Sequence, residues 1–252
     1  MEKISIPVND AQYVMALLFT PEAEPRGAVV VCHGFRGAKE NSGHIYSFAA
    51  RLTQRGFLVV AFDFRGSGES PGQFCDLTLT GQAGDLEQVC SYIDRCYKLP
   101  QLLLGRSFGG STVIAAAPHI TGAIGYILWS APFDLSSCFR ALLGEDYQRL
   151  LTGELVRLND AAGSFNLKPD FLADLNRQDM DRNLAAMAGK PLLVVHGKED
   201  ETVACFNAQQ IAALCPDATL CLVERADHRF TGRVEVREDI TLNWIDTHFG
   251  WR

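Results

Sequence analysis

The sequence has no apolar run that approaches the roughly 18 residues needed to span a bilayer. Its first ten residues, MEKISIPVND, are too polar to form the apolar core of a signal peptide. We therefore expect a cytoplasmic protein that does not associate with membranes.

Metal-binding cysteine patterns are also missing. The chain has eight cysteines, but none belongs to a C-x-x-C pair or has the histidine spacing of a zinc site. An even number of cysteines permits disulfide bonds, yet without an export signal it does not predict them. The sequence therefore predicts no metal centre.

Positively charged residues are fewer than negatively charged ones. The chain has 23 Lys and Arg residues and 30 Asp and Glu residues, which gives a net charge of −7. This balance argues against nucleic acid or an anionic membrane as the main partner. Apolar residues make up 47% and charged residues 21% of the chain, which excludes disorder and fibrous repeats. No repeat or boundary divides the 252 residues, so we expect a single domain over 1–252.

Short apolar runs alternate with longer segments of helical periodicity, which predicts an α/β fold with a parallel sheet covered by helices. The first twenty residues read as an antiparallel hairpin at one edge of the sheet. Further strands are predicted at 28–33, 57–64, 101–105, 123–129, 191–197 and 218–223, and helices at 42–55, 79–96, 107–117, 204–214 and 234–248.

One region interrupts this alternation. Residues 132–188 contain several helix-like pieces but no confident strand. Typical connections have about two to six residues, so this length predicts a helical insertion rather than a linker.

The pattern G-x-S-x-G occurs at 105–109, directly after a predicted strand and directly before a predicted helix. Glycines two residues away on each side let strand and helix approach each other around a sharp turn that exposes Ser107. The helix N-terminus beside the hydroxyl favours developing negative charge. We predict that Ser107 is a nucleophile, with a tight glycine-rich connection as the alternative.

A serine hydroxyl needs a base, and a base needs a carboxylate to orient it. Of the six histidines, His228 alone lies in the loop between the last strand and the C-terminal helix, from which it could reach the strand ends. Asp200 follows the strand before it and is the predicted acid, with Glu199, Glu201 and Asp227 as competing candidates.

A tetrahedral intermediate also requires backbone N–H donors. We expect one from Phe108, which follows the nucleophile, and one from Phe35, in the loop after the strand at 28–33. A plain strand-to-helix turn is the alternative for that loop.

These motifs together resemble the α/β-hydrolase superfamily, and the resemblance covers nearly the whole chain apart from the insertion. The segments that carry it are HGF at 33–35, DFRGSGES at 63–70, GRSFGG at 105–110, HGKEDETV at 196–203 and ADHRF at 226–230. They are most similar to cinnamoyl- and feruloyl-type esterases and to serine aminopeptidase-like hydrolases. One departure is Arg106, which precedes the serine where many relatives carry His or Asn.

The resemblance implies an eight-stranded, mostly parallel sheet flanked by helices, with the insertion at 132–188 as a lid. It implies a Ser107–Asp200–His228 triad, with the Phe35 and Phe108 amides as the oxyanion hole. The expected function is a serine hydrolase that cleaves carboxylic esters of small acyl or aromatic acids through an acyl-enzyme intermediate. We expect it to act as a monomer or homodimer without a cofactor. Amide or thioester cleavage by the same triad, or a non-catalytic binding role, are the alternatives.

Overall fold

The first two strands form an antiparallel hairpin at one edge of the main sheet, as predicted. In the computed structural model, which describes residues 1–160 and 163–250, strand β1 spans Glu2–Pro7 and β2 spans Tyr13–Phe19. The Asn9 side chain accepts hydrogen bonds from the Ala11 and Gln12 N–H groups, each at 2.9 Å. These bonds satisfy the turn backbone that would otherwise lack partners.

Outside the insertion, the remaining elements lie within one or two residues of the predicted bounds. The further strands are β3 (Gly27–Cys32), β4 (Phe57–Phe62), β5 (Gln101–Arg106), β6 (Ala123–Trp129), β7 (Val156–Asp160), β8 (Gly163–Leu167), β9 (Leu192–Gly197) and β10 (Thr219–Val223). The helices are α1 (His44–Thr53), α2 (Leu79–Tyr97), α3 (Phe108–Ala116), α4 (Leu135–Leu143), α5 (Glu145–Leu151), α6 (Pro169–Leu175), α7 (Met180–Ala185), α8 (Phe206–Leu214) and α9 (Val234–Phe249).

Eight of these strands form one sheet in the order β1-β2-β4-β3-β5-β6-β9-β10. Strands β1 and β2 run antiparallel to their neighbours, and the other pairings are parallel. The prediction of an eight-stranded, mostly parallel sheet flanked by helices is therefore confirmed.

The sheet is buried on both faces, which explains its nearly continuous apolar strands. On β5, Leu103 packs in a core with α2 and α3, whereas Leu102 and Leu104 pack on the opposite face with α1 and α9. Within the described part of the chain, no helix combines the length and apolar character needed to cross a membrane.

The insertion between β6 and β9 differs from its expected all-helical content. It holds the helices α4 to α7, but strands β7 and β8 form a small antiparallel sheet among them, so the expectation of no strand was wrong. Each strand has only five residues, and most of their side chains are at least partly exposed. Strand β7 has Val156 and Leu158 as its apolar residues, and β8 has Phe165 and Leu167. Two alternating apolar residues are too few to predict a strand from the sequence.

Candidate active site

Ser107 lies on the sharp turn between β5 and α3, at the carboxyl end of the central strand. Its backbone has φ 52° and ψ −128°, a strained conformation for a residue with a side chain. A Cβ atom on Gly105 would lie 2.3 Å from the Gly109 carbonyl oxygen, and one on Gly109 would lie 2.4 Å from the His33 carbonyl oxygen. The two glycines are therefore required by the close approach of strand, helix and neighbouring loop.

The three side chains predicted to form a triad lie together and form a continuous hydrogen-bond chain. The His228 Nε2 atom is 3.0 Å from the Ser107 Oγ atom. The Nδ1 atom of the same ring is 2.8 Å and 3.0 Å from the two carboxylate oxygens of Asp200. With Nδ1 donating to the carboxylate, Nε2 is free to accept the serine proton, which is the arrangement that general-base catalysis requires.

The Asp200 carboxylate is buried but fully supplied with donors. Its Oδ1 atom accepts hydrogen bonds from the Thr202 N–H at 3.0 Å and the Val203 N–H at 2.7 Å. Its Oδ2 atom also lies 3.1 Å from the Nε2 atom of the buried His196. Burial alone would raise the pKa of Asp200, but hydrogen bonds from His196 and His228 outweigh burial and hold that pKa well below its ordinary value.

The three carboxylates that competed with Asp200 occupy other positions. Glu199 accepts a hydrogen bond from the Ala226 N–H at 3.1 Å, and Glu201 accepts one from the His228 N–H at 3.2 Å. Asp227 accepts one from the Thr231 N–H at 2.8 Å. These side chains hold the backbone of the histidine loop, and none of their hydrogen bonds reaches the imidazole ring.

The loop after β3 packs directly against the serine. A Cβ atom on Gly34 would lie 3.0 Å from the Ser107 Cβ atom. The His33 ring fixes this loop, because its Nδ1 atom donates to the Gly34 carbonyl at 2.9 Å and its Nε2 atom accepts from the Phe64 N–H at 3.2 Å. The loop thus brings Phe35 to the same cavity as the serine.

Phe108, the second predicted oxyanion donor, is the first residue of α3. The first N–H groups of a helix have no partner within the helix, so its amide is available to a ligand. The Phe35 and Phe108 rings contact each other edge to face, with centroids 6.2 Å apart, and both residues line the cavity beside Ser107.

An ion network around the buried Lys39 side chain holds the loop after β3 in place. The sequence analysis missed this network. The Nζ atom of Lys39 lies 2.7 Å from Asp63 and 2.6 Å from Glu69, and the Lys39 and Glu69 N–H groups also donate to Asp63. Burial alone would lower the pKa of Lys39, but hydrogen bonds to these carboxylates outweigh burial and raise it above its ordinary value. The only signal in the sequence was the DFRGSGES stretch, which gave no indication of a lysine partner.

The cavity above the serine has a volume of about 580 Å³. Its apolar wall includes Phe35 and Phe108 and, from the insertion, Phe139, Leu142, Leu143, Leu158 and Phe165. Among the described residues, no group of three or more His, Cys, Asp or Glu side chains could hold a metal ion.

An ion pair links the insertion to the loop after β3. Arg36 Nε and Nη2 donate to the two Asp160 carboxylate oxygens at 2.9 Å and 3.1 Å. The Arg36 guanidinium also lies 4.4 Å from the centre of the Phe165 ring. Strands β7 and β8 therefore contribute directly to the rim of the cavity.

The sequence matches the family model described as serine aminopeptidase, S33, over residues 23–181. The chain belongs to the serine aminopeptidase S33 family. Membership in this family and the fold agree in giving the chain the α/β-hydrolase architecture.

Curated relatives add sequence similarity but no described activity. The uncharacterized protein YfhR from Salmonella typhi is 26% identical over 150 residues, which are 58% of this chain and 47% of that protein. YfhR from Salmonella typhimurium gives the same values. The matched region thus spans about half the length of these relatives.

Solved structures share the fold over nearly the full chain. Est1E from Butyrivibrio proteoclasticus, in a structure with ferulic acid bound, has a TM-score of 0.82 at 21% identity and covers 98% of this chain and 100% of its own. The α/β hydrolase GrgF from Penicillium sp. sh18 has a TM-score of 0.80 at 15% identity and covers 99% of both chains. The esterase domain of a Rhodothermus marinus protein has a TM-score of 0.74 at 21% identity and covers 98% of both. These similarities confirm the α/β-hydrolase fold.

Proposed function

We propose that the protein is a serine esterase that cleaves carboxylic esters of small acyl or aromatic acids through an acyl-enzyme intermediate. The observation that carries this proposal is the hydrogen-bond chain from Ser107 through His228 to Asp200, which opens into a cavity with an aromatic wall. Two structural neighbours are named as esterases or were solved with an aromatic acid bound, which supports the same substrate class.

In the first half of the reaction, His228 Nε2 removes the hydroxyl proton as Ser107 Oγ forms a bond to the carbonyl carbon of the ester. The carbonyl oxygen becomes an oxyanion, and the Phe35 and Phe108 N–H groups donate hydrogen bonds to it. The bond to the alcohol oxygen then breaks, and His228 transfers its proton to that oxygen. The alcohol leaves, and the acyl group remains on Ser107.

In the second half, water takes the position of the alcohol. His228 removes one proton from the water as its oxygen attacks the acyl carbon, and the same proton returns to Ser107 Oγ when the acid leaves. Asp200 stays ionised throughout and stabilises the imidazolium formed in each half. Its low pKa suits this role, since a neutral carboxyl group would offer no charge to the imidazolium.

We propose that the insertion serves as a lid that shapes the acyl pocket. Phe139 packs edge to face against Phe35 and Phe108, with centroids 5.5 Å and 5.2 Å apart. An apolar wall of this kind excludes water and favours an aliphatic or aromatic acyl group over a polar one.

Amide cleavage is the second candidate, because the family description names an aminopeptidase. An aminopeptidase needs a carboxylate to bind the ammonium group of its substrate. Of the described residues that line the cavity, the only acidic one is Asp160, and its carboxylate is already paired with Arg36. This arrangement favours esters, and comparing aminoacyl anilides with esters of the same acids distinguishes the two activities.

The test is the turnover of p-nitrophenyl acetate and butyrate by Ser107→Ala. In comparable sites the loss of the serine lowers kcat by about 10⁶-fold, so we expect activity to fall to background. Ser47→Ala is the matched control, because Ser47 is an exposed serine on α1 whose hydroxyl donates to the His44 carbonyl, away from the cavity. Activity of Ser107→Ala within tenfold of the wild type would remove Ser107 from the proposed role.

A further inference from the structure

Two arginines flank the catalytic pair in the sequence and line the same cavity in the structure. Arg106 immediately precedes Ser107, and Arg229 immediately follows His228. Neither residue takes part in the mechanism proposed above. The cavity therefore has a cationic side in addition to its apolar wall.

Arg106 is a largely buried cation that no carboxylate of the described residues pairs with. Its Nη1 atom donates to the neutral Asn41 side chain at 3.0 Å, and its buried Nε atom has no hydrogen-bond acceptor among the described residues. The nearby carboxylates of Asp200 and Asp227 are engaged with His228 and the histidine-loop backbone. A buried charge that lacks a partner is costly, so this arrangement favours a ligand that supplies one.

Arg229 is exposed at the same cavity, and it forms no ion pair within residues 1–160 and 163–250. A third arginine, Arg237 on α9, is buried between the rings of Trp129 and Phe230, at 4.1 Å and 5.1 Å from their centres. Burial, followed by repulsion from Arg106, lowers the pKa of Arg237 to about 9. Burial and repulsion from Arg229 lower the pKa of Arg106 in the same way.

Arg106 and Arg229 thus place two positive charges at the cavity, and the buried Arg237 lies close enough to Arg106 for the two charges to repel each other, in a protein whose net charge is −7. Arg36 also lines the cavity, but its charge is neutralised by Asp160. Among the described residues, Arg106 and Arg229 are therefore the cavity-lining cations that no carboxylate pairs with.

We propose that the natural substrate is an ester with a carboxylate group, which Arg106 and Arg229 bind while the apolar part of the substrate packs against the phenylalanine wall. The guanidinium group is suited to this role, because its N–H donors match the geometry of a carboxylate. This inference rests on the proposed esterase activity and names the substrate class of the same site.

The experiment compares anionic esters with neutral esters of nearly the same shape. With the charge on the alcohol, the pair is 3-carboxy-4-nitrophenyl butyrate and 3-carbamoyl-4-nitrophenyl butyrate. With the charge on the acyl group, the pair is the 4-nitrophenyl monoester of glutaric acid and that of glutaramic acid. After subtraction of spontaneous hydrolysis, the quantity measured is the ratio of kcat/KM for the anionic ester to kcat/KM for the neutral one.

We expect the wild-type ratio to exceed about ten in at least one pair, since a charge-assisted hydrogen bond is roughly twice as strong as a neutral one. Arg229→Gln should lower that ratio about tenfold, and Arg229→Glu should bring it below one. Arg106→Gln should lower it as well. Arg177→Gln is the matched control, because the Arg177 side chain is 74% exposed and lies outside this cavity.

The outcomes separate this inference from the proposed function. Neutral esters turned over by the wild type with ratios near one in both pairs would overturn the inference while leaving the esterase proposal intact. A ratio that Arg229→Gln does not change would also overturn it. Failure of the wild type to hydrolyse any of the four esters would refute the esterase proposal and the inference with it. Because Arg229 is exposed, its variants test the inference even if Arg106→Gln does not fold.

Discussion

The strand ends around Ser107 and the insertion over residues 132–188 meet at one cavity but are built differently. Around the serine, backbone segments pack so closely that a single added Cβ atom on Gly105 would collide with the next turn at 2.3 Å. The insertion consists of short elements in which large side chains remain open to solvent. Leu142, Leu151 and Leu155 are 49%, 47% and 53% exposed.

This difference assigns separate tasks to the two regions. In the proposed reaction, the sheet edge holds Ser107, His228 and Asp200 by backbone geometry, and a change in that geometry would break the hydrogen-bond chain between them. The insertion supplies side chains to the cavity wall, where substitution changes shape without moving Ser107. We therefore expect changes at the sheet edge to lower turnover of all esters, and changes in the insertion to alter which esters are preferred.

The largest effect should come from Asp200→Asn at the sheet edge. The amide fits the same space but cannot stabilise the imidazolium, and in comparable triads this exchange lowers kcat by about 10⁴-fold. Acetate and octanoate esters should lose activity equally. Glu224→Gln is the control, because Glu224 is an exposed carboxylate that pairs with Lys198 and does not contact the triad in the described part of the chain. A loss restricted to one chain length would contradict the separation of tasks.

The same variant has a second readout in the pH dependence of stability. Because the pKa of Asp200 is lowered in the folded protein, the ionised group stabilises the fold at pH values above its unfolded pKa of about 4. This contribution is lost as the pH falls through the lower folded value. The difference in unfolding free energy between wild type and Asp200→Asn, measured by denaturant titration, should therefore shrink between about pH 4 and pH 2.

The sequence predicted the sheet edge well because its signals are local. An apolar strand, a glycine-spaced turn and a helix specify the position of Ser107 without reference to the rest of the chain. The positions of Asp200 and His228 followed from a general property of parallel sheets, whose carboxyl strand ends meet at one edge. The structure brings these three side chains within hydrogen-bond distance.

Other contacts of the site could not be predicted, since they depend on which loops meet in three dimensions. His196 is the penultimate residue of β9, and Asp200 lies in the loop directly after that strand. The hydrogen bond between them forms because this loop turns back on the strand. The pairing of Lys39 with Asp63 joins two loops that follow neighbouring strands. Strands β7 and β8 were missed because two apolar residues in each are too few to show a period of two.

A smaller effect, and a change of preference, should follow Leu142→Ala in the insertion. Leu142 lines the cavity and is half exposed, so its truncation costs little stability but removes apolar contact with a long acyl chain. We expect kcat/KM for octanoate esters to fall about threefold to tenfold, in line with about 0.8 kcal/mol per buried CH₂ group, while acetate turnover stays the same. Leu151→Ala is the control, because Leu151 is equally exposed but does not line the cavity. Equal losses for both esters would show that the insertion does not shape the acyl pocket.

The smallest effect should come from the ion pair between Arg36, in the loop after β3, and Asp160 of the insertion. Asp160→Asn removes the charge that Arg36 contacts, and a partly exposed pair of this kind contributes less than about 1 kcal/mol to stability. The melting temperature should therefore hardly change. The wall formed by β7 and β8 would be held less firmly against the loop that carries Phe35, so we expect kcat/KM for octanoate esters to fall about twofold, with a smaller change for acetate.

The control is Glu154→Gln, which removes an exposed pair with Arg149 within the insertion. A larger loss for acetate than for octanoate would mean that the ion pair positions the loop that carries Phe35. Asp160 would then act with the sheet edge and not with the insertion.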